Sequence, residues 1–263
     1  MYTYKGKTAL ITGASSGIGE TFAHELAARG MNAVLVARSE DRLNKLADDL
    51  RAKHAVRAEV VATDLSHDGA AVALHAETEK RGLSIDLLIN NAGFGTHGPF
   101  ETLDAARDHD EVMLNVAAVV DLCHAYLPAM VARGDGAVIN VASTAAFQPV
   151  PYMAVYGATK AFVLSFSEAL WGEYRGRGIH VTALCPGPTE TPFFGVVGTE
   201  DAAIGSKRTS RQVVVTGLHA LETGRLSAID GLANTLLAQS SRVAPRTLIA
   251  LISRQVMRPG KAR

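Results

Sequence analysis

Short apolar runs that alternate with longer amphipathic stretches constrain this chain more than any other feature. Runs rich in Val, Ile and Leu predict strands at Thr8–Thr12, Asn32–Ala37, Ala58–Ala62, Asp86–Asn90, Ala137–Val141 and Ile179–Leu184. Runs this uniformly apolar are typical of a parallel sheet that is covered on both faces. Helical spacing between them predicts helices over Gly17–Arg29 and Glu40–Lys53. The alternation predicts a doubly wound α/β fold, with its ligand crevice at the carboxyl ends of the strands.

Composition narrows the class of protein further. At 263 residues the chain suits a single α/β domain, and its 26 basic and 26 acidic residues leave no basic surface for nucleic acid. Its two cysteines, Cys123 and Cys185, lie in apolar runs, which predicts buried thiols in a reducing compartment and no metal site. We find neither a signal-peptide pattern nor an apolar stretch of the ~18 residues that span a bilayer. These features predict a cytoplasmic enzyme with no transmembrane segment.

Two regions depart from the alternation of strands and helices. Residues 188–215 show no clear periodicity, and a structureless insert of this length predicts a lid or binding loop. We expect the outer face of this lid to carry its polar residues, which are Thr199, Glu200, Asp201, Ser206, Lys207 and Arg208. A helical pattern then runs from Leu232 to about Met257, with an interruption at Pro245. Basic residues accumulate there, at Arg242, Arg246, Arg254, Arg258, Lys261 and Arg263. We interpret this segment as a solvated helix over a sheet edge, with membrane association as the alternative.

A glycine-rich turn follows the first strand and precedes the first helix. Its residues are Gly13, Ala14, Ser15, Ser16, Gly17, Ile18 and Gly19. Glycines allow a tight turn and a close approach to a pyrophosphate, and the N-terminus of the following helix attracts the anion. The spacing matches neither the Gly-x-Gly-x-x-Gly fingerprint nor a P-loop. At this position the turn predicts a dinucleotide-binding site.

The end of the second strand bears on the choice of dinucleotide. An acidic residue there binds the ribose hydroxyls of NAD, whereas an arginine accommodates the 2′-phosphate of NADP. This chain has Arg38 at that point and no acid. Arg38 therefore favours NADP(H), with NAD(H) as the alternative. A surface arginine, or one that stacks on adenine, would also fit the pattern.

Tyr156 and Lys160 are four residues apart and share one face of a predicted helix. A nearby ammonium group is expected to lower the pKa of the phenol from its ordinary value of ~10. The pair could then protonate a carbonyl oxygen, or deprotonate an alcohol, as hydride moves at carbon. Ser143 follows the apolar run 138–141, where its hydroxyl could bind the same oxygen.

These residues, taken in order, resemble the short-chain dehydrogenase/reductase family over nearly all of residues 5–190. Further family motifs occur at their usual spacings: Asp64-Leu65, Asn90-Asn91-Ala92-Gly93, Asn115, and Pro186-Gly187 with Thr189 and Thr191. The resemblance implies a Rossmann fold and an enzyme that moves a hydride between nicotinamide and a carbonyl or alcohol. It also implies a homo-oligomer, although the helical C-terminal pattern replaces the last strand with which many members build tetramers. We therefore expect a dimer or a tetramer.

The resemblance also implies roles for individual residues. Its catalytic set is Asn115, Ser143, Tyr156 and Lys160, in which Lys160 also grips the nicotinamide ribose and Asn115 holds a water in a proton relay. The cofactor set adds Gly13, Ser15, Ser16, Gly17, Ile18, Gly19, Arg38, Asp64, Leu65, Asn91, Ala92, Gly93, Pro186, Gly187, Thr189 and Thr191. Asp64-Leu65 would contact the adenine ring, and the 186–191 loop would hold the carboxamide.

Two segments expected to wall the substrate cleft are strongly apolar, residues 145–155 and 192–197. They favour a hydrophobic carbonyl compound over a sugar or a small acid. Phe193 and Phe194 could instead simply pack the lid onto the core. Two other functions are weighed against the reductase: a dinucleotide sensor without turnover, and an epimerase or dehydratase. The complete catalytic set counts against the sensor, and the length of the chain counts against the second domain that epimerases usually carry.

Overall fold

A seven-stranded parallel sheet forms the centre of the computed structural model, which describes residues 2–199, 203, 205–241 and 244–260. Its strands are β1 (Thr8–Thr12), β2 (Asn32–Ala37), β3 (Ala58–Ala62), β4 (Leu87–Asn90), β5 (Gly136–Val141), β6 (Ile179–Cys185) and β9 (Ser227–Ile229). The six predicted strands are confirmed, each within one residue of its expected ends. The seventh, β9, was not predicted, because its three residues are too few to show a strand pattern.

Helices cover both faces of the sheet. They are α1 (Gly17–Ala27), α2 (Glu40–His54), α3 (Ala70–Lys80), α4 (Ala105–Val112), α5 (Ala118–Arg133), α6 (Ala154–Tyr174), α7 (Phe193–Val197), α8 (Ser210–Glu222), α9 (Leu232–Ser240) and α10 (Arg246–Val256). One apolar core joins the sheet to α1, α2 and α8, and a second joins it to α3, α5 and α6. The doubly wound Rossmann architecture is therefore confirmed.

The order of the strands places the crevice. It runs β3-β2-β1-β4-β5-β6-β9, so β1 lies between β2 and β4. The chain thus reverses direction across the sheet at β1, and the loops after β1 and β4 diverge there. In open α/β sheets such a point, at the carboxyl ends of the strands, is where ligands bind.

Within the part of the chain that the structure describes, one continuous helical stretch is long and apolar enough to cross a membrane by length and composition alone. It spans Ala105–Arg133 and comprises α4, a π turn at Met113–Ala117, and α5. The sequence alone did not predict such a stretch. A buried core helix meets the same criterion, and α5 packs Leu122, Tyr126 and Met130 into the core beside the sheet. The finding is weak evidence for a membrane span.

Residues 188–215 contain more structure than their sequence predicts. A short two-stranded parallel ladder, β7 (Thr189–Glu190) with β8 (Arg208–Thr209), brackets α7, and α8 begins at Ser210. The expectation of a structureless insert is therefore wrong. Arg208 also points inward rather than outward, because it pairs with the fully buried Asp230. Glu200 and Asp201 lie outside the described residues.

The predicted C-terminal helical segment is present as two helices, α9 and α10, with Pro245 at the N-cap of α10. Proline ends the preceding helical turn because it lacks an N–H, and it fits the start of the next helix. Of the basic residues, Arg246 and Arg254 lie on α10 and Arg258 follows it, while Arg242, Lys261 and Arg263 lie outside the described residues. Both helices expose leucines, among them Leu232, Leu236 and Leu251.

Candidate active site

A cavity of about 630 Å³ lies at the carboxyl ends of the strands. Of the residues predicted for the site, all line this cavity except Gly19 and Asn115. Its volume falls within the range of ligand-binding pockets, roughly 300–1,000 Å³. The predicted crevice is confirmed, and the roles of the individual residues stay predictions.

The glycine turn has the backbone that a pyrophosphate cradle needs. Gly13 and Gly17 adopt φ angles of +64° and +59°, in the left-handed region that favours glycine. A Cβ on Gly17 would lie 2.9 Å from Thr191 Cγ2, and one on Gly19 would lie 2.7 Å from Asn91 Nδ2. Gly19 therefore lets α1 approach the β4 loop, which explains why it does not line the cavity. The turn and the N-terminus of α1 fit a dinucleotide phosphate.

Thr12 and Asn91 hold this turn in place. The Thr12 hydroxyl accepts the backbone N–H groups of Asn91 and Ala92, both at 2.9 Å, and donates to the Ile89 carbonyl. Asn91 Nδ2 in return donates to the carbonyl oxygen of Thr12 at 2.9 Å. The loops after β1 and β4 are thus tied together at the reversal of the sheet. In this structure Asn91 shapes the cradle as well as lining it.

Arg38 lies at the end of β2 and reaches into solvent at the cavity rim. Its Nη1 is 3.7 Å from Asp64 Oδ2, and its side chain is 78% exposed. Burial tends to raise the pKa of Asp64, but bonds from Ser66 and the charge of Arg38 outweigh it and hold this pKa below its ordinary value. Arg42, on the first turn of α2, lines the same end of the cavity. Sequence reasoning missed Arg42, although a second arginine four residues after Arg38 was a usable signal.

Tyr156, Ser143 and Lys160 lie together on the cavity wall. Tyr156 and Lys160 are on the first two turns of α6, and Lys160 Nζ is 5.8 Å from the centre of the Tyr156 ring. Lys160 is buried and donates to the carbonyl oxygen of Val141 at 2.9 Å. The Ser143 hydroxyl accepts the N–H of Ala145 at 3.1 Å and hydrogen-bonds with the Tyr156 phenol. Ser143 is therefore both a cap for the 3-10 turn at Thr144–Phe147 and a neighbour of Tyr156.

The expected effect of Lys160 on Tyr156 is not what the structure shows. Burial raises the pKa of Tyr156 to about 12, the bond with Ser143 lowers it only in part, and the Glu111 carboxylate raises it further. Burial also lowers the pKa of Lys160 to about 8, against the opposing charge of Glu111. The prediction of a lowered phenol pKa is wrong here, because burial raises this pKa and the ammonium of Lys160 donates to the Val141 carbonyl oxygen instead. A phenol in this state is a proton donor at neutral pH.

Asn115 lies in the π turn that joins α4 to α5. Its Nδ2 donates to the Phe94 carbonyl at 2.9 Å and to Thr159 Oγ1 at 3.1 Å, and its Oδ1 accepts the Phe94 N–H at 3.2 Å. The amide therefore fixes the loop after β4 to α6. Such π turns occur frequently at functional sites. The proposed water relay stays a prediction.

Apolar side chains surround the far end of the cavity. Phe193 contacts the Tyr156 ring, whereas Phe194 is buried, which agrees with the packing interpretation for Phe194 alone. The C-terminal helices complete this wall with Leu237, Leu248, Ile249, Ile252, Val256 and Met257. The end of α10 is held there by His97, whose Nε2 is 2.9 Å from the Met257 carbonyl oxygen. The sequence showed these helices but not that they reach the site.

In the described ranges, no group of three or more His, Cys, Asp or Glu residues is placed to hold a metal ion. The two cysteines are separate, buried and unpaired by any disulfide.

Comparison with known proteins identifies the family to which this fold belongs. The family model for short chain dehydrogenase matches residues 7–202, which include the glycine turn, Asn115, Ser143, Tyr156 and Lys160. The chain belongs to the short-chain dehydrogenase family. Its relatives are named as reductases and dehydrogenases, and two of them are named as inactive.

Three proteins illustrate what this short-chain dehydrogenase is similar to. The very-long-chain 3-oxoacyl-CoA reductase of Macaca fascicularis is 37% identical over 69% of this chain and 59% of its own length. A short-chain dehydrogenase from Sphingobium yanoikuyae in complex with NADPH has a TM-score of 0.81 at 34% identity, and 98% of each chain is covered. A family member from Burkholderia phymatum in complex with NAD has a TM-score of 0.83 at 27% identity, over 91% of this chain and 94% of its own. The chain thus spans about 59% of the length of the curated relative, and both nicotinamide dinucleotides occur among its structural neighbours.

A nicotinamide dinucleotide fits the residues present in this short-chain dehydrogenase. The glycine turn and α1 would hold its pyrophosphate, the β2 and β3 ends its adenosine half, and Lys160 and the 186–191 loop its nicotinamide half. When bound, the dinucleotide supplies or accepts the hydride. The roles expected of Tyr156 and Ser143, to orient the substrate oxygen and to exchange its proton, stay predictions.

Proposed function

We propose that this protein is an NADP(H)-dependent reductase of hydrophobic ketones or aldehydes. The observation that carries the proposal is one cavity with a phosphate cradle at one end and apolar helices at the other. Tyr156 and Ser143 lie between the two ends. A carbonyl bound there would meet a proton donor at its oxygen.

The protonation state of Tyr156 supports the direction of the reaction. A phenol with a pKa of about 12 keeps its proton at neutral pH. It can therefore donate that proton to the developing alkoxide of a reduced carbonyl, but it is a poor base toward an alcohol. Reduction is the direction that this arrangement favours.

Positive charge at the β2 end of the cavity supports the cofactor preference. Arg38 and Arg42 both line it, and a guanidinium binds a phosphate dianion through paired hydrogen bonds. Asp64 already neutralises part of the charge of Arg38. Arg42 then supplies a second cation for the 2′-phosphate. This pair is the support for NADP(H), while NAD(H) is the competing outcome.

The apolar wall of the cavity supports the substrate class. Beyond Tyr156 the lining is formed by Phe193, Val196, Met153 and the apolar faces of α9 and α10. Polar groups of a sugar or a small acid would lose their hydration there without replacement. An aliphatic or aromatic carbonyl compound would instead bury apolar surface, which contributes about 25 cal/mol per Å². The very long chain in the name of the 3-oxoacyl-CoA reductase agrees with an apolar cavity wall.

A substrate panel tests the proposal. Purified protein would be assayed with NADPH and NADH against long-chain and aromatic ketones and aldehydes, and against polyhydroxylated and charged carbonyl compounds, at the nicotinamide absorbance. We expect the highest kcat/KM for an apolar compound with NADPH. Activity confined to charged or polyhydroxylated compounds would refute the substrate class, and a preference for NADH would refute the cofactor. Binding of a dinucleotide without any turnover would favour the sensor. A homo-oligomer and a cytoplasmic location stay predictions.

A further inference from the structure

Glu111 is a fully buried carboxyl group that the proposed reaction does not use. It lies on α4, one turn before Asn115, and its side chain has no exposed surface. Its Oε2 is 3.1 Å from Thr96 Oγ1. Among the described residues its Oε1 finds no hydrogen-bond partner. A buried carboxylate with an unpaired oxygen is costly, so this group requires an explanation.

The Thr96 hydroxyl is shared between two carboxyl groups. Thr96 Oγ1 lies 2.7 Å from Asp108 Oδ1 as well as 3.1 Å from Glu111 Oε2. A hydroxyl has only one proton to donate but can accept two bonds. When Thr96 donates to Asp108, its bond with Glu111 Oε2 can form only if Glu111 is protonated and is itself the donor. The geometry therefore accommodates Glu111 as a neutral acid.

Burial and hydrogen bonding leave the ionisation of Glu111 finely balanced. Burial raises its pKa most, and the charge of Asp108 raises it further. The side chain and backbone of Thr96, and the charge of Lys160, act in the opposite direction and leave a pKa of about 7. Both states of Glu111 are thus populated near neutral pH.

The loop that holds Glu111 also touches the catalytic pair. This loop follows β4 and runs from Gly93 to Thr96. A Cβ on Gly93 would lie 3.4 Å from Lys160 Nζ, and one on Gly95 would lie 2.9 Å from the Tyr156 ring. The charge of Glu111 acts on both neighbours, because it raises the pKa of Lys160 and that of Tyr156. The loop therefore connects Glu111, through Thr96, to both residues of the pair.

We propose that Glu111 is a positioning residue that gains and loses a proton beneath the loop 93–96 and so controls the charge of the Tyr156–Lys160 pair. The proposal rests on the catalytic roles assigned to that pair. In its ionised state Glu111 keeps the buried ammonium charged and the phenol protonated. When Glu111 is neutral, the pKa of Lys160 and the pKa of Tyr156 both fall. Reduction at alkaline pH then depends on Glu111, whereas reduction at acidic pH does not.

The first test is the pH profile of Glu111→Gln, which removes the charge and keeps the shape. We expect the reductive kcat/KM of wild type and variant to coincide below about pH 6. Above pH 7 the alkaline limb of the variant should move to lower pH by roughly one unit, the scale of a nearby charge. Glu77→Gln, on α3 and outside the cavity, is the matched control and should leave the profile unmoved. Two parallel profiles with a constant ratio would overturn the proposal.

The second test does not depend on turnover. Wild-type protein with ¹³Cδ-labelled glutamate would be titrated by NMR, with the Glu111 signal identified by its absence from Glu111→Gln. We expect a midpoint near pH 7, whereas a midpoint below pH 5 would overturn the proposal. If Tyr156→Phe retained full turnover while Glu111 still titrated near pH 7, the role of Tyr156 in the proposed reaction would be refuted. The raised pKa of Glu111 would still be supported.

Discussion

The ring of Phe193 lies against the ring of Tyr156, with centroids 5.4 Å apart and planes inclined at 50°. Phe193 in turn makes an edge contact with Phe194, which is buried and lies under the ammonium of Lys207. The proposed proton donor and the segment after β6 are therefore in direct contact. A substrate that reaches Tyr156 must displace Phe193 or pack beside it.

We predict that Phe193→Ala weakens the binding of apolar ketones by about 1–3 kcal/mol, which corresponds to the loss of a large apolar side chain. KM for a long-chain ketone should rise roughly tenfold or more, with a smaller effect on a short one. Steady-state kinetics over a chain-length series would measure this. Phe100→Ala is the matched control, because Phe100 is exposed and outside the cavity. An unchanged KM across the series would remove Phe193 from the substrate wall.

Tyr156→Phe removes only the phenolic oxygen. We expect turnover to fall by about 10²–10⁴, the contribution of a general acid, while NADPH binding persists. Single-turnover assays and a fluorescence titration with NADPH would separate the two effects. Tyr174→Phe, at the other end of α6, should behave as wild type. Near-normal turnover in Tyr156→Phe would take this residue out of the reaction.

Arg38→Ala should weaken NADPH binding by about 1.5–3 kcal/mol, the value of a hydrogen bond to a charged group, and barely change NADH binding. Binding titrations with both dinucleotides would show the difference. Arg42→Ala is the comparison variant, since Arg42 lines the same end of the cavity. If only Arg42→Ala discriminates, the phosphate contact belongs to Arg42. Equal losses for the two dinucleotides in both variants would contradict an NADP-specific site.

Asp230→Asn tests the ion pair that joins β8 to β9. Asp230 is fully buried, pairs with Arg208, and accepts the Thr216 hydroxyl at 2.7 Å. Loss of its charge should lower the free energy of unfolding by about 2–4 kcal/mol, below the upper range for buried pairs because Arg208 is one-third exposed. Urea unfolding would measure it. Asp135→Asn breaks the more exposed Lys7 pair and should cost about 1 kcal/mol or less. Equal effects would show that burial at Asp230 is not decisive.

Glu111 should also make stability depend on pH. Its pKa is about 7 in the fold against an ordinary 4.5, so it stabilises the fold below pH 4.5 and loses that contribution as pH rises through 7. Glu111→Gln lacks this titration. As pH rises from about 4.5 to 7, the free energy of unfolding of the variant should therefore increase relative to that of wild type. The increase should reach up to about 3 kcal/mol, at ~1.4 kcal/mol per pKa unit. Denaturant unfolding at a series of pH values would measure the gain. A difference that stays flat with pH would contradict the raised pKa.

The sheet could be predicted from sequence because central parallel strands are apolar throughout and leave a clear local pattern. The short strands β7, β8 and β9 could not, since pairing over two or three residues is decided by tertiary contacts. The motif residues could be found because each has a distinctive type or spacing. Two other residues were missed. Arg42 lies four residues after Arg38, but only the fold shows that it lines the cavity. Glu111 belongs to an ordinary charged helix pattern, and only the fold shows that it is buried beside Thr96.

The π turn at Met113–Ala117 also sets the rotational phase between α4 and α5. A π turn accommodates one residue more than the α-helical repeat, and each residue of an α-helix turns the chain by about 100°. Removal of a single residue there would let the two helices fuse into one regular helix. With α5 fixed in the core, α4 would rotate, and Glu111 would leave its position beneath Thr96. At this point the active site depends on the number of residues in the chain as much as on their identity.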